Sequence, residues 1–294
     1  MNSTPSRALV VEGGAMRGIF ASGVLDAFLE NGYMPFDFAM GVSAGSTNLL
    51  GYLSGNHGRS HRIITDYSRR PEFINFSRFT HGGHLTDIRW LWNTTTRELP
   101  LNLFQFEQRK IPFFATTTNV ETGQAEYTEV THNNVAEVMM ASCALPLAYR
   151  DYPTINKTPM SDGGIADSIP VIEAYRRGAR KITVVLSQPL GYRKSDTKVP
   201  WLLRSMFHHH PQLAEALLHR AKRYNEALDF IQHPPADCEI TIIAPNKTFQ
   251  VGRLTRHLGK LEHGYLLGQQ AGYRLCGIVP CHGEHCFDDT ALMV

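Results

Sequence analysis

The chain has 294 residues, 43% of them hydrophobic, which is enough to bury the core of one large domain or of one and a half. Its net charge of +2 is too small for the strongly basic surface typical of nucleic-acid-binding proteins. Its five cysteines are an odd number, which favours a reducing compartment over a disulfide scaffold. Because the first residues are polar and no apolar stretch approaches the length of a membrane span, we expect no signal peptide, no transmembrane helix and a cytoplasmic location.

A glycine-rich turn follows the first predicted strand, residues 9–12, and leads into a helical pattern over residues 19–29. Such a turn presents backbone N–H groups at a helix N-terminus, where they bind a phosphate or the oxyanion of an acyl-transfer reaction. The oxyanion role fits better, because Ala15 replaces the second glycine of a dinucleotide fingerprint and no P-loop lysine follows. Arg17 either holds the loop through a carboxylate or carbonyl, binds a substrate phosphate, or is a solvated loop charge. The turn consists of Gly13, Gly14, Ala15, Met16, Arg17 and Gly18.

A second turn has the pattern of a nucleophile elbow. An apolar run over residues 36–40 precedes it, and a helical pattern over residues 46–53 follows. The elbow is a sharp turn that tolerates only very small neighbours beside its serine, which explains the G-x-S-x-G pattern. Such a pentapeptide also arises by chance in a chain with 24 glycines, so the strand and helix around it carry the argument for a serine hydrolase. The elbow residues are Gly41, Val42, Ser43, Ala44 and Gly45.

The middle of the chain alternates strand and helix patterns. The exception is its first two strands, which a predicted hairpin turn over residues 121–124 joins directly. This alternation predicts an α/β fold with a mostly parallel sheet, whose site lies at the carboxyl ends of the strands, where Gly13 and Ser43 fall. The predicted strands cover residues 113–120, 125–130 and 181–186, and the predicted helices cover residues 135–142 and 169–177.

A nucleophilic serine needs a base, and none of the 14 histidines has a persuasive sequence context for that role. The feature that stands out is Asp162, which is followed by Gly163 and Gly164. Taken alone, an aspartate before two glycines is most often only a turn.

Together these segments resemble the patatin-like phospholipase family. That family has a GGxxRG loop, a GxSxG elbow and a later Asp-Gly-Gly or Asp-Gly-Ala, which match residues 13–18, 41–45 and 162–164 in the same order. Residues 141–146 also look like the family's Ala-Ser-x-Ala-x-Pro stretch, in which we expect Cys143 to be a small buried side chain. The resemblance covers roughly the first two thirds of the chain.

The resemblance implies a three-layer α/β fold with flanking helices, and a lipid acyl hydrolase with a dyad of Ser43 and Asp162. Asp162 would accept the Ser43 proton, and the amides of residues 13–18 would stabilise the oxyanion on the way to an acyl-enzyme. The implied substrate is a phospholipid or related acyl ester, with neither a metal nor another cofactor; acyl transfer to an alcohol other than water stays open. The alternative is a non-catalytic lipid- or metal-binding module on the same fold. The oligomeric state is not predicted.

Residues 1–190 are the predicted catalytic core, and residues 191–294 are a mostly helical addition packed against it. The addition shows no motif of the family and is not expected to fold independently. Its predicted elements are a long helix from Pro211 to Ile231, a strand over residues 240–243 and a final helix from Leu254 to Gly277.

Two features of this addition each allow two interpretations. The apolar segment over residues 199–207 is a lid or a surface for transient membrane contact, or more simply a core helix. A cysteine and histidine cluster near the end has metal-ligand residue types but lacks C-x-x-C spacing, so a polar tail is favoured over a metal site. The cluster consists of Cys276, Cys281, His282, His285 and Cys286.

Overall fold

The fold is built on one central β-sheet. A computed structural model of the protein describes residues 6–278 and, near the end, the strand Leu292–Met293. The strands are β1 (Ser6–Val11), β2 (Phe38–Val42), β3 (Phe113–Asn119), β4 (Ala125–Glu129), β5 (Thr154–Ile155), β6 (Thr158–Asp162), β7 (Ala179–Val185), β8 (Glu239–Ile243) and β9 (Leu292–Met293). The helices are α1 (Gly18–Glu30), α2 (Ala44–Leu53), α3 (Arg59–Arg62), α4 (Phe76–Thr80), α5 (Ile88–Glu98), α6 (Leu103–Gln108), α7 (Val135–Cys143), α8 (Val171–Arg176), α9 (Pro200–Met206), α10 (Pro211–Leu218), α11 (Arg220–Gln232) and α12 (Leu258–Leu275).

The sheet is parallel at its centre. Among the described residues the strand order is β5-β6-β3-β2-β1-β7-β8-β9, with β4 also paired to β3. The strands from β3 to β8 in this order are mutually parallel, whereas β4, β5, β6 and β9 form antiparallel pairs outside that centre. The predicted α/β fold with a mostly parallel sheet is therefore confirmed.

Helices cover both faces of the sheet. Along β1, Leu9 and Val11 pack in a cluster with side chains of α1, α2, α7 and α12, whereas Ala8 and Val10 pack with side chains of α8 and α11. A strand that is covered on both faces has no polar face to show, which explains why β1 is apolar at successive positions. The result is three layers, with helices on each side of the sheet.

Helices α1 and α12 approach closely because glycines lie where the two helices meet. A Cβ atom on Gly23 would overlap the carbonyl oxygen of Tyr265, and one on Gly268 would overlap the carbonyl oxygen of Phe20. Only glycine leaves room for the backbones at this distance. The contact fixes α12, near the end of the described chain, against the first helix.

The segment after residue 190 shares this core. β8 lies beside β7 in parallel register, with Ile242 opposite Val184. α11 packs on one face of the sheet and α12 on the other. We propose the division after residue 190 as the point at which the motif-bearing segment ends.

The long helix predicted from Pro211 is interrupted. The chain forms α10, turns at His219 and starts again as α11, so the prediction of one continuous helix is wrong. The His219 ring contacts the Glu215 carbonyl oxygen at 2.9 Å, at the end of α10. The final helix also begins later than predicted, at Leu258, because Leu254 lies in the preceding loop and is half exposed.

The apolar segment over residues 199–207 lies mostly at the surface. Its helix, α9, has no buried side chain, and Trp201 is 69% exposed, so the interpretation of α9 as a core helix is wrong. Phe207, just after the helix, is buried with Leu213. Among the residues that the structure describes, no helix combines the length and the apolar character needed to cross a bilayer.

Replacing Gly268 with Ala is expected to lower the free energy of unfolding by about 2–3 kcal/mol, because the added methyl group forces α1 and α12 apart. Urea unfolding measures this loss. The matched control is Gly259→Ala in the first turn of α12, where the new Cβ atom meets chiefly the exposed His257 ring at 3.2 Å. A loss of the same size in both variants would contradict the tight helix contact.

Candidate active site

The register of the sheet brings Ser43 and Asp162 to one place. Val42, the last residue of β2, pairs with Thr116 of β3, and Asp162, the last residue of β6, pairs with Thr117. Ser43 therefore leaves the sheet close to Asp162. Both residues line a cavity of about 340 Å³.

The turn at Ser43 is strained. Its backbone has φ 52° and ψ −122°, in the region of positive φ that residues other than glycine rarely adopt. The turn also passes close to β1, because a Cβ atom on Gly45 would overlap the carbonyl oxygen of Val11. Such a strained turn between a strand and a helix is the conformation expected of a nucleophile elbow.

A buried hydroxyl holds this turn. The Ser43 amide donates to Ser142 Oγ at 2.9 Å, and Ser142 Oγ donates to the Thr116 carbonyl oxygen at 2.8 Å. Ser46 Oγ lies 3.2 Å from the same hydroxyl. Ser142 thus links the elbow to β3. Ser142 lies in the stretch over residues 141–146 that the sequence analysis identified, but the sequence did not predict its contact with Ser43.

Asp162 is held by its own backbone contacts. Its amide donates to the Ala144 carbonyl oxygen at 2.9 Å, and Thr118 Oγ1 donates to its carbonyl oxygen at 2.9 Å. The Gly164 amide donates to its carboxylate at 2.8 Å. Burial raises the pKa of Asp162, and the Ser43 side chain, the Arg220 charge and the Gly164 amide act in the opposite direction. The aspartate is therefore a stronger base than an exposed one.

The glycine-rich turn lines the cavity. Within the described part of the chain, the Gly13, Gly14 and Ala15 amides donate to no acceptor, whereas the Met16 amide donates to the Arg253 carbonyl oxygen at 3.4 Å. Ala15 has φ 51°, which turns the chain sharply before α1. Three unpaired donors at one end of a cavity suit an oxyanion or another anionic group.

Arg17 lies behind this turn and not in the cavity. It is 7% exposed, so its interpretation as a solvated loop charge is wrong. Its Nη2 atom lies 4.0 Å from Glu12 Oε1. Glu12 in turn accepts from the Ser187 amide at 2.6 Å and from the Tyr224 hydroxyl at 3.1 Å. Arg17 therefore belongs to a buried polar cluster that supports the turn.

The predicted residues divide into those that line the cavity and those that shape the turns around it. Gly163 is an example of the second kind, because a Cβ atom there would overlap the Thr116 carbonyl oxygen. The lining residues are Gly13, Gly14, Ala15, Met16, Ser43, Ala44, Asp162 and Gly164. The residues that do not line the cavity are Arg17, Gly18, Gly41, Val42, Gly45 and Gly163.

One wall of the cavity is apolar. It comes from α5 and from the chain between α2 and α5, a stretch rich in aromatic and aliphatic side chains. Such a surface suits a hydrocarbon chain. The wall includes Ile63, Ile64, Phe73, Ile74, Leu91 and Trp92.

Three arginines that line the cavity were not predicted: Arg59, whose Nε donates to the Leu99 carbonyl oxygen at 2.7 Å, Arg220 and Arg253. Arg220, the first residue of α11, donates through Nε to the Gly164 carbonyl oxygen at 2.6 Å, and Arg253 lies in the loop after β8. No motif surrounds any of the three, so the sequence offered no signal for them. No histidine of the described chain lines the cavity.

The cysteines play a smaller part. Cys143 is partly buried and lines the cavity. Burial raises its pKa to about 12, which keeps the thiol neutral. In the predicted terminal cluster, Cys276 is a free thiol after α12, and Cys281, His282, His285 and Cys286 lie outside the described residues. The residues that the structure describes contain no group of three potential metal ligands.

Two parts of the chain match known family models, and the chain is also similar to individual proteins. Residues 9–175 match the model of the patatin-like phospholipase family, and residues 210–276 match that of a domain of unknown function, DUF6363. The uncharacterized protein YjjU of Escherichia coli is 34% identical over 278 residues, which cover 92% of this chain and 75% of YjjU.

More distant matches involve lysophospholipases and one solved structure. Lysophospholipase NTE1 of Lodderomyces elongisporus is 25% identical over 199 residues, which cover 62% of this chain but only 12% of that protein. The crystal structure of VipD from Legionella pneumophila matches with a TM-score of 0.51 and 12% identity, over 94% of this chain and 67% of VipD. The match to VipD shows a shared fold.

Replacing Ser142 with Ala is expected to lower the free energy of unfolding by about 2–3 kcal/mol, because the Ser43 amide and the Thr116 carbonyl lose their buried partner. The matched control is Ser22→Ala, a buried serine whose hydroxyl donates to the Ile19 carbonyl oxygen within α1. The control should lose about 1 kcal/mol or less in the same urea titration. Equal losses would show that Ser142 does not hold the elbow.

Proposed function

Because the chain belongs to the patatin-like phospholipase family, a family of lipid hydrolases, we propose that Ser43 and Asp162 form a catalytic dyad that cleaves acyl esters of lipids. The observation that carries this proposal is the convergence of three features on one cavity. They are a serine on a strained elbow, a buried carboxylate and a turn of unpaired amides.

The proposed reaction has two stages. Ser43 Oγ attacks the ester carbonyl carbon while Asp162 takes its proton, and the tetrahedral intermediate expels the alcohol, which receives that proton. Water then attacks the acyl-enzyme with Asp162 again as base, and the collapse of the second intermediate releases the fatty acid and returns the proton to Ser43. The amides of Gly13, Gly14 and Ala15 stabilise the negative oxygen in both stages.

The carboxylate base needs its buried setting. An exposed aspartate has a pKa of about 4 and accepts a proton from an alcohol poorly. Burial raises the pKa of Asp162, while the Ser43 side chain and the Arg220 charge act in the opposite direction and limit the rise. We propose that the oxyanion turn supplies much of the remaining rate enhancement, since one such donor typically contributes about two to three orders of magnitude.

The alternative of a non-catalytic module explains fewer of these features. A binding module has no use for positive φ at Ser43, which typically costs about 1–3 kcal/mol of stability. It also has no need to bury an aspartate whose ionisation is penalised. Transfer of the acyl group to an alcohol other than water would use the same residues and stays open.

A lipid substrate raises the matter of membrane contact. Trp201 and Leu202 of α9 are exposed and suit a bilayer interface, whereas the buried Phe207 does not. Transient contact with a membrane surface through α9 stays a prediction, as does the cytoplasmic location.

Ser43→Ala and Asp162→Asn are each expected to lower ester hydrolysis by at least about three orders of magnitude while the protein remains folded. A fluorophosphonate probe with mass spectrometry should label Ser43 in the wild type and label it far more slowly in Asp162→Asn. The matched control is Asp167→Asn, because this neighbouring carboxylate accepts a hydrogen bond from the Tyr127 hydroxyl at 2.8 Å and does not line the cavity. An active and folded Ser43→Ala protein would refute the dyad.

The hydrolysis rate should depend on the ionisation of Asp162. The base must be ionised, so activity is present above its pKa and is lost as the pH falls through it. Because burial raises that pKa, the acid limb of kcat/KM should lie above pH ~4. Arg220→Gln removes a charge that favours the ionised form and should move the limb to higher pH, whereas Lys222→Gln, on an exposed side chain, should leave it in place. A limb that Arg220→Gln leaves unmoved would contradict this coupling.

A further inference from the structure

Three basic side chains from the segment after residue 190 converge beside the proposed dyad. Arg220 and Arg253 line the cavity together with Ser43 and Gly14. Lys194 lies close enough to both arginines for their charges to act on it. The three residues come from separate parts of the chain, so the tertiary fold alone brings them together.

The charges of Asp162 and Glu12 act on Arg220, but no carboxylate of the described chain forms a salt bridge with any of the three side chains. Within the described residues, none of Lys194, Arg220 and Arg253 has a carboxylate oxygen within 4.0 Å. Arg220 uses Nε on the Gly164 carbonyl oxygen, and the Arg253 guanidinium has no hydrogen-bond acceptor in the described part of the protein. Both guanidinium groups therefore retain donors for a ligand.

One carboxylate near the group is Glu12, whose charge acts on both Lys194 and Arg220. It is 1% exposed and accepts from the Ser187 amide and the Tyr224 hydroxyl. Lys194 rests with Nζ 3.9 Å from the centre of the Tyr224 ring. Two carboxylates, Glu12 and Asp162, thus stand against the basic side chains of Arg17, Lys194, Arg220 and Arg253, so positive charge is in excess.

The positive charges of the basic side chains also disfavour one another's ionised forms, which lowers their pKa values. Burial and the charges of Arg220 and Arg253 lower the pKa of Lys194, and burial and the Arg253 charge lower the pKa of Arg220. An anion bound among them would reverse this effect, because it pairs with the positive charges in a place where water screens them poorly.

We propose that Arg220 and Arg253, supported by Lys194, form an anion subsite that binds the phosphate group of the substrate lipid beside the ester cleaved at Ser43. This inference rests on the proposed function and assigns its substrate preference to residues outside the family motifs. The planar guanidinium donors match phosphate oxygens, and the apolar wall formed by α5 and the chain before it takes the acyl chain. The cavity thus joins an apolar part to a cationic part, as a phosphate-bearing lipid requires.

The test compares two esters that differ only in phosphate: monooleoylglycerol phosphate and monooleoylglycerol. The quantity measured is the ratio of kcat/KM for the phosphate ester to kcat/KM for the neutral ester. Arg253→Gln is expected to lower this ratio about 10- to 100-fold, the effect of removing a charge-assisted hydrogen bond. Arg253→Lys, which keeps the charge but not the fork of donors, should retain part of the ratio.

Lys222→Gln is the matched control. Lys222 lies on the same helix as Arg220, its side chain is 71% exposed and it does not line the cavity, so the ratio should stay at the wild-type value. An equal fall in kcat/KM for both esters in Arg253→Gln would overturn the subsite and leave the hydrolase proposal intact. Wild-type protein that cleaves neither ester would instead refute the hydrolase proposal, and the subsite with it.

Free phosphate is the other source of the same ligand chemistry. Calorimetry with inorganic phosphate on the Ser43→Ala protein, with and without Arg253→Gln, measures it directly. Phosphate binding that requires Arg253, together with an unchanged substrate ratio, would assign the site to free phosphate and overturn the lipid assignment. A lowered ratio would support the lipid assignment.

Discussion

The backbone conformation at Ser43 is the constraint on which the site depends. A non-glycine residue at positive φ keeps that conformation only when its surroundings hold it, and here the chief contact is the hydrogen bond from the Ser43 amide to Ser142 Oγ. Ser142 can accept this bond because it donates to β3, which lies next to β2 in the sheet. The elbow is therefore fixed by the sheet and not by its own sequence alone.

The same strand also positions the carboxylate. β3 pairs with β2 through Thr116 and with β6 through Thr117, so adjacent residues of one strand set the places of Ser43 and Asp162. In this position the aspartate loses hydration, because it is buried. The burial raises its pKa and disfavours its charged form. A buried carboxylate with one main-chain donor and nearby arginines is a costly arrangement for stability, and it is the arrangement that a base acting on an alcohol needs.

The sequence allowed the local parts of this site to be predicted, because each turn leaves a mark at fixed spacing. Gly45 must be small to pass β1, and Gly163 must be small to pass β3, so the motifs around Ser43 and Asp162 are visible in the chain itself. The contact between Ser142 and Ser43 joins residues 99 positions apart, and only the sheet register reveals it. The helix break at His219 was missed, and the core interpretation was wrongly favoured for α9, for a similar reason: apolar spacing predicts a helix but not where tertiary contacts interrupt or uncover it.

Arg220 and Arg253 show the limit of motif-based prediction most clearly. Each is a single arginine in a segment without a motif, and each reaches the cavity because α11 and β8 belong to the core that carries Ser43. The segment after residue 190 thus shapes the charge of the cavity while the motif-bearing segment shapes its turns. If chemistry depends on the turns and substrate choice on the charge, the two can vary independently, since a change at Arg253 would alter the proposed anion subsite without touching the hydrogen bonds that hold Ser43 and Asp162.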